Sequence, residues 1–215
     1  MAVTFISRDE RLSVFLWKIE EELPILLKSA ALTPDEQVQY EAFRAESRKR
    51  QWLTVRALAN KVFGHKATIT YSAAGRPSLG GDGAYISISH ADAYAAITIG
   101  GANHIGVDVE SINRKYTTIR HKFASDDEAA IFTASGFEES LYLPIIWCAK
   151  EAAFKAADCT DVDFIRDVVI TRVEANETFT AGEVEVRFNP LRAAGMFKFT
   201  VIDNHVIAWG KYEGV

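Results

Sequence analysis

"ISISHADAYAAITIGGANHIGVDVE", residues 86–110, decides how this chain divides. Tyr85 to His90 alternates apolar and polar residues, Ala95 to Ile99 forms a second strand-like run, and His104 to Glu110 forms a third after the turn Gly100 to Asn103. Three short strands in a meander are the predicted arrangement. Within them Ser89, His90, Asp108 and Glu110 occupy positions where a core would prefer apolar residues. Strand side chains two apart share a face, so Asp108 and Glu110 lie about 6.7 Å apart at Cα and can reach one ion, while Val107 and Val109 face a core. Carboxylate oxygens without Cys or His suit Mg²⁺, which takes one or two carboxylates and completes its shell with water and substrate phosphates. A pair of solvated acids is the plain alternative.

Outside this stretch the composition is that of an ordinary globular protein, with 48% hydrophobic and 25% charged residues over 215 positions, enough for one large domain or two small ones. A net charge of −5 argues against a general nucleic-acid partner, which needs a basic surface. Cys148 and Cys159 are the only cysteines and form no C-x-x-C pair, so neither a disulfide framework nor a zinc site is expected and a reducing cytoplasm is the predicted compartment. Charged Arg8, Asp9, Glu10 and Arg11 interrupt the N-terminal apolar run, and no later run approaches a membrane span; neither a signal peptide nor an anchor is expected.

Thr33, Pro34 and Glu36 form a capping-box start and Gly64 a stop, predicting one long helix or two with a break near Ala45 to Ser47. Arg44, Arg48, Lys49, Arg50 and Arg56 make this span locally basic: a solvated face or an anion site. "YSAAGRPSLGGDGAY" reads as an ordered loop around Gly75, Arg76 and Pro77 and a Gly80, Gly81, Gly83 cluster. Residues 138–158 read as a helix, with Pro144 favouring a start near Leu143, and four strands are expected around 168–173, 183–188, 197–202 and 206–212. The chain should therefore be mixed α and β, with its one plausible seam at the Gly100 to Asn103 turn.

In "IIWCAKEAAFKAA" Trp147, Glu151 and Lys155 fall at i, i+4 and i+8, one stripe of a helix. An exposed Glu–Lys pair beside a core-edge tryptophan would look the same. The chemical reading makes Glu151 a third carboxylate or a general base and Lys155 a cation for a phosphate oxygen, with Lys150 available to another edge of the same cleft. His90, at a strand end, is either a surface histidine or a phosphate donor.

Taken in order, G-R-P at 75–77, S-I-S-H at 87–90, G-V-D-V-E at 106–110 and W-C-A-K-E-A-A-F-K at 147–155 resemble the Sfp-type 4′-phosphopantetheinyl transferases. The resemblance covers about Leu32 to Ala157. It implies an α+β fold of two similar subdomains related by a pseudo-two-fold axis, residues 1–103 and 104–215, with the active site in the cleft between them. It implies that Asp108, Glu110 and Glu151 hold Mg²⁺, and that Glu151 and Lys155 are catalytic. Coenzyme A contacts would come from Arg48, Arg56, Gly75, Arg76, Pro77, Ser89, His90, Asp108 and Lys155. Arg76 departs from the lysine frequent in that turn, keeping the charge but changing the donor geometry.

The activity so implied is Mg²⁺-dependent transfer of 4′-phosphopantetheine from coenzyme A to a serine of an apo acyl or peptidyl carrier protein, of the holo-carrier synthase type, releasing adenosine 3′,5′-bisphosphate. Carrier proteins are acidic around that serine, and Arg114, Lys115, Arg120 and Lys122 in "NRKYTTIRHKF" form a basic segment suited to docking one, or a mobile loop. A monomer would suffice, since both halves lie in one chain. The rival readings are a Mg²⁺-dependent phosphodiesterase acting on a nucleotide and a non-catalytic coenzyme A-binding protein.

Overall fold

The computed structural model describes residues 3–8, 12–72, 75–80, 84–101 and 103–213. The charged residues Asp9 to Arg11, the glycines Gly81 and Gly83, and Ala102 of the expected seam fall outside these. Two compact units emerge, Met1–Gly101 and Ala102–Val215. Each carries its own antiparallel sheet, and the described chain contains five α-helices in all, so the mixed α+β class expected from the sequence holds.

In the N-terminal unit six strands are ordered β1-β2-β6-β5-β4-β3: β1 (Val3–Arg8), β2 (Leu12–Lys18), β3 (Ile69–Tyr71), β4 (Pro77–Leu79), β5 (Tyr85–His90) and β6 (Tyr94–Gly100). Helices α1 (Leu23–Ala30), α2 (Pro34–Ala42) and α3 (Glu46–Phe63) complete it. The break between α2 and α3 falls at Phe43 and Ala45, both with extended backbone, and the Thr33–Glu36 capping box starts α2 as expected. Gly64 ends α3 in the left-handed region at φ 71°, which a residue with Cβ rarely adopts. One face of α3 buries Val55, Leu58 and Ala59 against Trp17, Ala95 and Ile97 of the sheet, and its first turns pack Trp52 and Leu53 on Leu26 and Ala30 of α1. Asn60 then donates to the carbonyls of Ser29 and Ala30 and accepts from the Ala67 N–H, tying α1 to the approach to β3.

The C-terminal unit has five strands ordered β7-β11-β10-β9-β8: β7 (Ile105–Ser111), β8 (Val168–Ala175), β9 (Ala181–Phe188), β10 (Ala193–Ile202) and β11 (His205–Tyr212). Helices α4 (Asp126–Ala134) and α5 (Glu139–Ala157) lie in the connection from β7 to β8. The expected three-strand meander is corrected here: β5 pairs with β6, but β7 joins the second sheet beside β11, Val107 opposite Trp209 and Val109 opposite Ile207.

A second correction concerns α5, which starts at Glu139 and carries Pro144 inside. The proline forfeits one backbone bond in the second turn. Burial of Tyr142, Leu143, Ile145 and Ile146 offsets that loss, with about 25 cal/mol gained per Å² of apolar surface removed from water. The rest of the apolar face is small, with Ala149, Ala152, Ala153 and Ala156 all buried. That smallness lets α5 lie directly on β7, where a Cβ at Gly106 would overlap the Ala152 carbonyl.

Candidate active site

The faces of β7 sort its residues. Val107 and Val109 are buried on one side, while Gly106, Asp108 and Glu110 face α5. The α5 stripe Trp147–Glu151–Lys155 meets them. Lys155 Nζ donates to Asp108 Oδ1 at 2.7 Å and to the Val107 carbonyl at 3.3 Å. At the other end Trp147 Nε1 donates to Glu110 Oε1 at 2.8 Å, and Arg114 Nη1 donates to the same oxygen at 3.0 Å. Arg114 sits over the Trp147 ring at 5.1 Å and over Tyr116 at 5.8 Å. The structure therefore brings together Asp108, Glu110, Glu151 and Lys155.

Glu151 lies between the two ends of this stripe. Burial, then the negative charge of Asp108, raises its pKa to about 7, against the opposing pull of Lys155. Burial and Asp108 also raise Glu110, with Trp147 and Arg114 opposing. Burial works against the Lys155 ammonium, but Asp108 and then Glu151 hold its pKa above the ordinary lysine value.

Three neighbouring carboxylates are an all-oxygen donor set, the chemistry a hard divalent cation takes, and the mutual effects of Asp108, Glu110 and Glu151 place them within electrostatic reach of one another. The residues therefore fit Mg²⁺ by type. Among the described residues no three carboxylates, histidines or cysteines already converge as ligands. Asp108 is engaged by Lys155 and Glu110 by Trp147 and Arg114, so binding an ion requires a local exchange of partners.

Lys150 departs from its expected place at the edge of this site. It is fully buried, with Nζ 2.7 Å from Glu128 Oε1 and donating to the Phe164 carbonyl at 2.8 Å. Glu128 is the third residue of α4 and closes a capping box with Ser125; its Oε1 also accepts from the Ile170 N–H. The signal that could have found this partner is S-x-x-E at 125–128.

The segment after β7 forms 3-10 turns at Tyr116–Thr118 and Arg120–Lys122. Tyr116 donates to the Ser111 carbonyl, and buried Phe123 meets Trp147 edge-on at 5.1 Å. Arg114 and Arg120 are taken up by Glu110 and Asp126, whereas Lys115, His121 and Lys122 are exposed. Ile119, Lys122, Phe164 and Ile165 join Trp147 and Glu151 around a groove of about 660 Å³. Phe164 and the groove were not foreseen from the sequence, because residues 159–167 match no periodic pattern.

In the N-terminal unit Arg48 and His90 meet, Arg48 Nη1 lying 2.6 Å from His90 Nε2. Arg48 is in the first turn of α3, whose N-cap Ala45 supplies no capping side chain. Ser89 precedes His90 on β5 and is buried. Gly75, at φ 83°, and Arg76 form the β3–β4 turn: the Gly75 N–H donates to the Ser72 carbonyl and the Ser72 N–H to the Arg76 carbonyl, and Pro77 opens β4.

Arg56 is placed differently from the expected coenzyme contact. Its side chain is 2% exposed, lies 3.1 Å from the Trp52 ring centroid and donates from Nε to Glu36 Oε1 at 2.8 Å. Burial lowers its pKa, with Tyr71 and Glu36 opposing.

Among the described residues, no helix is long and apolar enough to cross a membrane. Residues 104–208, from the start of β7 into β11, match the family model described as 4′-phosphopantetheinyl transferase superfamily. No curated protein matches the chain.

Proposed function

We propose, on the match of residues 104–208 to the 4′-phosphopantetheinyl transferase superfamily model, that the chain moves 4′-phosphopantetheine from coenzyme A to a serine of an apo carrier protein, with Mg²⁺ held by Asp108, Glu110 and Glu151. The observation that carries this reading is the α5 stripe Trp147–Glu151–Lys155 laid against Asp108 and Glu110 of β7. The serine oxygen forms a bond to the phosphorus bearing pantetheine. The bond from that phosphorus to the bridging oxygen breaks, and adenosine 3′,5′-bisphosphate leaves.

When bound, Mg²⁺ supplies charge neutralisation for the pyrophosphate. The chain's own groups do the rest. Lys155, charged and held on Asp108, is the cation for a phosphate oxygen. Glu151, on the same α5 stripe as Lys155, is the carboxylate this reading gives the serine proton. On the N-terminal unit the same reading gives the Arg48–His90 pair to a phosphate of the coenzyme. Arg56 receives no such role, since its guanidinium is spent on Glu36. His121 and Lys122 on the groove wall, with exposed Lys115 in the same segment, suit the acidic surface of a carrier.

The test is to incubate the protein with coenzyme A, Mg²⁺ and a panel of apo carriers and follow carrier mass. One phosphopantetheine should be added to at least one carrier, and Glu151→Ala should lower the rate at least about 10³-fold while leaving the fold intact. Release of phosphopantetheine without any carrier would instead make the protein a phosphodiesterase. Coenzyme A binding with no transfer to any carrier would make it a binding protein.

A further inference from the structure

Glu110 differs from the other two acids in what neutralises it. The Asp108 partner, Lys155, is itself assigned to the reaction; the Glu110 partner, Arg114, lies four residues beyond it, outside β7. The Arg114 side chain is 46% exposed and stacks on Trp147, so it can leave Glu110 without unpacking the core. Trp147, donating to the same Glu110 oxygen, keeps that carboxylate in place when Arg114 departs.

We propose that Arg114 is a built-in competitor for the divalent cation, a guanidinium that occupies Glu110 in the metal-free protein and sets how tightly the acidic site binds an ion. This rests on the reading of Asp108, Glu110 and Glu151 as ligands. The geometry supplies the reason. A divalent ion reaching Glu110 would meet a like charge 3.0 Å from the carboxylate oxygen, so Arg114 must move away or repel the ion. Its release costs one half-buried ion pair, and the guanidinium keeps the face of Trp147, on the wall of the groove that holds Glu151. Cation affinity is thus held down by a residue that is not itself a ligand.

The test is direct binding of Mn²⁺ to the whole protein, with free Mn²⁺ measured by its paramagnetic resonance signal. Asp108→Asn serves as the control that locates binding at the acidic site. Arg114→Gln should tighten Mn²⁺ about tenfold, and Arg114→Lys, which keeps the charge but loses the planar fork and the stacking, should fall between it and the unaltered protein. Unchanged or weaker binding in Arg114→Gln, with the unaltered protein binding and Asp108→Asn not, would overturn the proposal and leave the ligand assignment standing. No binding to either the unaltered protein or Arg114→Gln would remove both.

Discussion

The N-terminal and C-terminal units solve one problem in the same way and finish it differently. In each, a short helix opens with a capping box whose glutamate is buried against a cation from the following long helix: Thr33–Glu36 with Arg56, and Ser125–Glu128 with Lys150. A helix N-terminus welcomes a carboxylate, and that carboxylate then fixes the long helix through one charged side chain. The N-terminal version uses an arginine that spends its other face on Trp52. The C-terminal version is sealed: Lys150 bonds the Phe164 carbonyl, and Glu128 accepts from the backbone of Ser125 and Ile170 as well. The residue after Lys150 is Glu151. The tighter strut therefore stands beside the candidate site, and it also holds Phe164 at the groove.

The sharpest way to break this comparison is to remove one cation at a time. Lys150→Met leaves Glu128 buried without its charge partner and should cost about 3–5 kcal/mol in urea unfolding. Arg56→Met should cost less, about 2–3 kcal/mol, because Glu36 keeps more access to water and fewer bonds depend on it. Equal losses would mean that the two struts are equivalent. Next in size, Arg48→Ala should raise KM for coenzyme A about tenfold with kcat little changed, whereas loss of kcat is reserved for the C-terminal stripe; a fall in kcat alone would erase that division.

The smallest effect is alkaline. Burial keeps the Tyr212 hydroxyl protonated far above the ordinary tyrosine range, and among the described residues nothing hydrogen-bonds it. Below pH 10 both folded and unfolded forms hold this proton, so its contribution is constant. As pH rises past 10 the unfolded chain loses the proton and the folded chain keeps it, so stability falls, by at most about 1.4 kcal/mol per pH unit for this group. Urea unfolding at pH 8 and pH 11 should show a smaller drop in Tyr212→Phe.

Much of the site could be read before the fold. The spacing of Asp108 and Glu110 puts both on one strand face, and the spacing of Trp147, Glu151 and Lys155 puts them on one helix stripe; these are local periodicities, and they survive in three dimensions. The Thr33 capping box was equally plain. The partner of β7 was not, because alternation tells which residues face a core but not which strand lies alongside, and β11 is about a hundred residues away. The short strand β4 was hidden in a glycine-rich stretch, and its partner β3 is only three residues long. Burial of Arg56 and Lys150 was invisible for a related reason: an isolated charge on a helix reads as solvated until its distant counter-ion is known.

At Gly106 the strand and α5 touch without any side chain between them. The reach from Asp108 to Lys155 and from Glu110 to Trp147 is consequently gauged by backbone against backbone. Wider spacers elsewhere in the core can be exchanged for one another, but a methyl group here would act as a shim, lifting the helix and detuning every distance downstream of it. The tolerance of the whole acidic site is thus ground at a residue that carries no side chain at all.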